Sequence, residues 1–197
     1  MIRPAKNNDI DVLHDLIITT FRETYAGHPE MDPNEMEHYL NTSCAKPIIS
    51  QHLADDQNNT FLLAFDKESI DDTATSSTPI GYAKLRYNTP APPCVTAGTR
   101  ATTVELERIY VRRQSLRQGV GRQLLQAAMD VAKEQVLLDK RASEQFVLWL
   151  GVWEHNPRAM QFYQQAFGFR KMGVVDFSVG QQVHGDWILQ TEIGLEN

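Results

Sequence analysis

The segment from Thr103 to Leu138 restricts the fold more than any other part of the chain. TVELERIYV, residues 103–111, alternates as a half-buried strand does. From Gly119 to Leu138 the apolar residues Leu124, Leu125, Ala128, Val131, Ala132 and Val136 recur at the period of an amphipathic helix. Between the two lies RRQSLRQGVGRQLL, a basic turn with two glycines one residue apart. A strand that runs through a glycine turn into a helix is the local unit of α/β architecture.

The flanking sequence continues in the same idiom. Met1–Ala5 is predicted as a short strand, and Asn8 or Asp9 caps a helix carrying Ile10, Val12, Leu13, Leu16, Ile17 and Phe21. Helices are expected over Pro33–Leu40 and Pro47–Leu53, then strands over Thr60–Phe65 and Ile80–Tyr87. The polar stretch 66–78 and the three-proline stretch 88–101 are expected as loop insertions decorating one domain that spans residues 1–197. Further on, Phe146–Val152 is an apolar strand, and Asn156–Pro157 opens a helix that Gly168 closes. Strands over Arg170–Ser178 and Val183–Glu192 complete the order.

Composition narrows the function classes. At 42% hydrophobic residues the chain can bury one substantial core. Cys44 and Cys94 form no CxxC pair, and the six histidines are scattered, so neither a disulfide framework nor a metal site is expected. No apolar run approaches the roughly 20 residues that span a bilayer, and the first residues lack a signal-peptide core, so a soluble cytoplasmic protein is expected. A net charge of -6 argues against nucleic acid or a membrane surface as partner.

The charge is unevenly spread. Ten acidic residues lie between Asp9 and Asp56, against Arg22 and Lys46, whereas Arg108–Arg122 holds five arginines and no acid. Such asymmetry suits an anionic ligand on one side and a cationic one on the other, although solvated faces explain it as well.

The glycine turn decides between several phosphate-binding readings. Its position at a helix start offers unpaired N–H groups and the positive end of the helix dipole to a phosphate. A Walker A loop fails for want of its lysine, and a dinucleotide fingerprint lacks its third glycine, which is Leu124 here. A purely structural strand–helix connection stays available.

The six residues Leu116–Gly121 and the run WEHNPRAMQFYQQAFGF resemble motifs A and B of the GCN5-related N-acetyltransferases. Motif A reads [Q/R]xxGx[G/A] in that family. Here Leu116 stands first with Arg117 beside it, and both glycines match. ERIYV, LGVWEHN and FSVGQQVHGDWIL are similar, more narrowly, to the bacterial spermidine/spermine-type enzymes. The resemblance implies a mixed, strongly twisted sheet of about seven strands with helices on both faces.

It also implies roles. Acetyl-CoA would lie between parted strands, its pantetheine arm against Ile109, Tyr110 and Val111 and its pyrophosphate on Arg117, Gln118, Gly119, Val120, Gly121 and Arg122, with Asn156 on the cofactor arm. The acceptor amine must be neutral to attack, so a carboxylate base is expected. Glu105 and Glu107 share one face of a strand and are the candidates, with Glu107 ranked ahead; a salt-bridged strand glutamate is the competing reading of each. Tyr163 matches the family's tyrosine near the sulfur, where it would protonate the leaving thiolate, and core packing is its other reading.

The function implied is acetyl transfer to a primary amine, with a small cationic amine such as a polyamine as acceptor. A coenzyme-binding module without turnover and a protein or peptide N-acetyltransferase are the alternatives. Homodimerisation stays open.

Overall fold

The computed structural model describes residues 1–66, 78–97, 102–138 and 145–195. The expected insertion 66–78 falls mostly outside these, as does the end of the stretch 88–101.

Seven strands form one mixed sheet flanked by five helices of the described residues. The strands are β1 (Ile2–Pro4), β2 (Asn59–Phe65), β3 (Pro79–Arg86), β4 (Thr102–Val111), β5 (Gln145–Trp153), β6 (Arg170–Val179) and β7 (Gln182–Gly194). Their spatial order is β1-β2-β3-β4-β5-β7-β6. The helices are α1 (Ile10–Tyr25), α2 (Pro33–Thr42), α3 (Lys46–Ala54), α4 (Val120–Leu138) and α5 (Pro157–Phe167).

Local signals put most boundaries where the sequence predicts them. The Asp32 carboxylate accepts from the Asn34 and Glu35 amides to start α2, and Pro33 occupies the position where a missing N–H costs nothing. Asn156 does the same for α5 by accepting from the Ala159 amide at 3.1 Å, and Gly168 ends that helix at φ 66°.

The chain divides into two compact units. One comprises Met1–Lys84 with Arg108–Ala128, the other Leu85–Glu107 with Met129–Asn197, so β3, β4 and α4 each contribute to both. The core of the first unit gathers Leu13, Ile17 and Phe21 of α1, Leu62 and Leu63 of β2, and Leu124 and Leu125 of α4, all buried. That of the second gathers Phe146, Leu148 and Leu150 of β5 with Ile188 and Leu189 of β7.

One glycine in the first unit sets how closely its parts approach. A side chain on Gly81 would lie 2.9 Å from the Tyr110 carbonyl oxygen and 3.1 Å from a Leu124 methyl, so β3 admits only glycine where it meets β4 and α4. Gly81→Ala is expected to lower stability by about 1–3 kcal/mol, because a backbone atom cannot swing aside. Urea denaturation checks this, and a midpoint equal to wild type would refute it.

Pairing in the second unit is long between β5 and β7, from Gln145↔Gly194 to Trp153↔Asp186, and antiparallel throughout. Parallel pairing of β4 with β5 runs only from Thr102↔Phe146 to Glu105↔Trp149.

Candidate active site

In the first unit, the turn between β4 and α4 carries the residues expected to cradle a pyrophosphate. Arg117, Gln118, Gly119 and Arg122 are exposed, and Val120 and Gly121 half-buried, at the start of a helix whose first N–H groups have no intrahelical acceptor. The Gly119 carbonyl accepts from the Gln123 amide at 3.0 Å, and Gln118 Nε2 donates to the Gln114 carbonyl. Gly119 has φ 80° and Arg117 φ 65°.

An arginine in the left-handed region is strained by about 1–2 kcal/mol. Strain held at an exposed basic residue beside a helix start fits a binding loop. Arg117→Gly is expected to change stability by no more than about 1 kcal/mol, since relief of strain offsets the entropy of glycine. It should nonetheless weaken coenzyme A binding several-fold through the lost charge. Calorimetric titration checks both halves, and unaltered affinity would remove Arg117 from the cradle.

The other arginines of this stretch have structural partners. Arg108 donates to the Tyr39 hydroxyl at 3.0 Å and to Cys44 Sγ at 3.2 Å. Arg112 pairs with Glu23 at 3.3 Å, and the Arg113 amide donates to the same carboxylate at 2.7 Å. Much of the acidic quarter is likewise used within this unit: Asp9 binds Arg3, Asp11 binds Lys46 and Glu37 binds Arg22. The Arg3 guanidinium holds the Asp9 carboxyl below its ordinary range. The charge asymmetry of the sequence is therefore spent in good part on ion pairs.

On β4, Tyr110 sits in an aromatic cluster. Its hydroxyl lies 2.9 Å from that of Tyr25 and its ring stacks on Tyr82 at 5.7 Å. Burial, followed by Tyr25 and Tyr82, pushes the phenol well above its usual pKa, so Tyr110 stays neutral. Its side chain packs, and only its backbone and those of Ile109 and Val111 suit a cofactor arm.

The second unit holds both candidate bases. Arg86 reaches the Glu105 carboxylate at 3.3 Å and the Glu107 carboxylate at 3.5 Å, so the two share a face of β4 as their spacing predicts. Their side chains are 14% and 19% exposed. Arg86 offsets the cost of holding two carboxylates together. It was not among the expected site residues; its only signal is its place at the end of the IGYAKLRY strand.

Tyr163, 7% exposed, packs edge-on against Phe162 and Phe169 at 5.2 and 5.7 Å. This is the environment of a core tyrosine. Asn156 commits its Oδ1 to the helix cap, so its amide nitrogen is the atom that could reach a cofactor. Among the described residues no group of His, Cys, Asp and Glu could hold a metal ion, and no helix is long and apolar enough to cross a membrane.

The mixed seven-stranded sheet with helices against it and the glycine turn leading into α4 define an α/β protein. The chain belongs to the acetyltransferase (GNAT) family, whose model matches residues 14–169. Over 87 residues it is 34% identical to an uncharacterized N-acetyltransferase in the pepI 3' region of Lactobacillus delbrueckii subsp. lactis, a match spanning 44% of this chain and 45% of that relative.

Its fold is similar to that of PaiA N-acetyltransferase from Thermoplasma acidophilum, solved with coenzyme A, at TM-score 0.68, 20% identity and 98% of each chain. It is similar also to ribosomal-protein-alanine N-acetyltransferase from Brucella melitensis, at TM-score 0.58 and 18% identity, over 98% of this chain and 99% of that one.

Proposed function

We propose that the protein transfers an acetyl group from acetyl-CoA to a primary amine. The observation that carries this reading is the exposed, strained, arginine-bearing turn at the start of α4 in a chain of this family. Arg117 and Arg122 contribute charge and Gly119–Gly121 backbone N–H groups toward a pyrophosphate. The solved neighbour with coenzyme A agrees with that choice of donor.

In the reaction, the amine nitrogen attacks the thioester carbonyl and forms the amide bond, while the carbon–sulfur bond breaks and its electrons leave on the thiolate. Glu107, or Glu105, takes the proton of the ammonium so that a lone pair exists. Tyr163 supplies a proton to the thiolate, and the second proton of the attacking nitrogen, lost as the amide forms, restores the phenol. Both glutamates lie on one face with Arg86, whose guanidinium contacts each carboxylate.

A small cationic amine remains the acceptor we infer, on the carboxylates of the second unit rather than on the acidic N-terminal quarter, where Asp9, Asp11, Glu23 and Glu37 are held in ion pairs. The deciding experiment incubates purified protein with acetyl-CoA and a panel of polyamines, amino acids and peptides. Amine-dependent thiol release supports the reading. Tight coenzyme binding without release on any amine would favour a binding module instead.

A further inference from the structure

On the face of the second unit's sheet that carries Glu105, the pairings Glu105↔Trp149 and Trp153↔Asp186 place two tryptophans and a third carboxylate. Between the tryptophans on β5 stands Gly151. A side chain there would lie 2.9 Å from Asp186 Oδ2, so the Asp186 carboxylate occupies the space that the missing side chain leaves. Among the described residues Asp186 has no ion-pair partner, and its Oδ1 is buried without a hydrogen bond. Trp149, 6% exposed on the same face, has a buried indole N–H that is likewise unbonded.

A carboxylate oxygen buried without a hydrogen bond is expensive, and among the described residues none donates to Asp186 Oδ1. The titratable groups around it are Glu154, next to its pairing partner Trp153, and His155 and His184, whose rings stand edge-on to Trp153 at 5.1 and 5.5 Å. Glu154 caps the turn by accepting from the Gly185 amide at 2.9 Å. Burial first, then the Glu154 charge, raises Asp186 to about 6.

The three-proline stretch explains where this face stops being available. Thr96 exchanges hydrogen bonds with Gln190, and Cys94 packs within 2.9 Å of where a Gly173 side chain would begin. Gln190 pairs with Trp149, and Asp186 lies further along β7 toward the turn. The loop therefore packs at Gln190 and at Gly173, whose partner Ile188 pairs with Gly151, and so borders the space that the Asp186 carboxylate occupies.

We propose that Asp186 binds a second, non-reacting ammonium group of a diamine or polyamine acceptor, with Gly151 making room for its carboxylate and Trp149 and Trp153 as aromatic walls. A cation there is attracted by the carboxylate and by the ring faces. The proposal rests on the acetyl-transfer reading but adds a recognition residue on β7 that is separate from the β4 glutamates.

The experiment has two independent readouts. In steady-state assays with acetyl-CoA and putrescine or spermidine, Asp186→Asn should raise the amine KM at least tenfold and leave the acetyl-CoA KM within twofold. Gly151→Ala, which keeps the charge but displaces the carboxylate, should raise the amine KM several-fold. Equal amine KM values in all three proteins would overturn the proposal. If wild type releases no thiol, the functional reading falls, and tryptophan fluorescence titrated with the same amines decides the binding claim alone. A saturable change in wild type that Asp186→Asn abolishes supports it; no change in wild type, or the same change in both, overturns it.

Discussion

Glu107→Gln lowers kcat for acetyl transfer by about a hundredfold or more at pH 7.5, with coenzyme A affinity unchanged. General-base catalysis contributes roughly 10²–10⁴-fold, and an alkylammonium near pKa 10 has almost no lone pair at neutral pH. The deficit should shrink as pH rises toward that pKa, because the free amine then forms without help. This pH dependence separates a lost base from a lost fold, which no alkali restores. Glu105→Gln is the matched comparison, since Arg86 contacts both carboxylates. A larger loss there would transfer the role to Glu105, and unchanged rates in both would remove the base from β4. Tyr163→Phe in the same assay should cost less, since a buried ring edge-packed on Phe169 keeps its packing without the hydroxyl.

Asp186→Asn raises the melting temperature at pH 7.5 and gives no gain near pH 4. The sign follows from linkage. The folded-state carboxyl is raised from 3.8 to about 6, so the fold is favoured where Asp186 is protonated and loses that advantage as pH rises through about 6. Above it the desolvation cost of the anion is fully present, and a neutral amide escapes it. The shift sets a ceiling on the order of 3 kcal/mol, and solvent at the half-buried side chain reduces this to roughly 1–2 kcal/mol. For a chain of this size that is roughly 2–8 °C. A gain independent of pH would trace to packing and not to charge. Together with the expected rise in amine KM, the result would mark Asp186 as a residue kept for binding at a cost in stability.

What could be read from the sequence was whatever depends on near neighbours. Alternation over 103–111 and the helical period beyond Gly119 come from side-chain directions that the backbone imposes locally, and β4 and α4 follow them. Asn156, Pro157 and Gly168 bound α5 because a cap and a left-handed stop are made within a turn of the helix. The shared face of Glu105 and Glu107 follows from the period of two.

What escaped the sequence depends on partners far along the chain. The acidic quarter read as a cation-attracting surface, yet Glu23, Glu37, Asp9 and Asp11 are paired with basic residues of their own unit. Composition counts charges and does not pair them. The three-proline stretch read as a loose insertion, and only the distant Gln190 shows where it is anchored.

The sequence by itself determined the order of elements, the family and the glycine turn that opens α4, because each is written in residues adjacent along the chain. The tertiary structure decided the setting of the carboxylates: Arg86 against Glu105 and Glu107, and Asp186 over Gly151 beside Trp153. Strand register sets those neighbours, and with a side-chain period of two a slip of one residue would turn Asp186 to the opposite face.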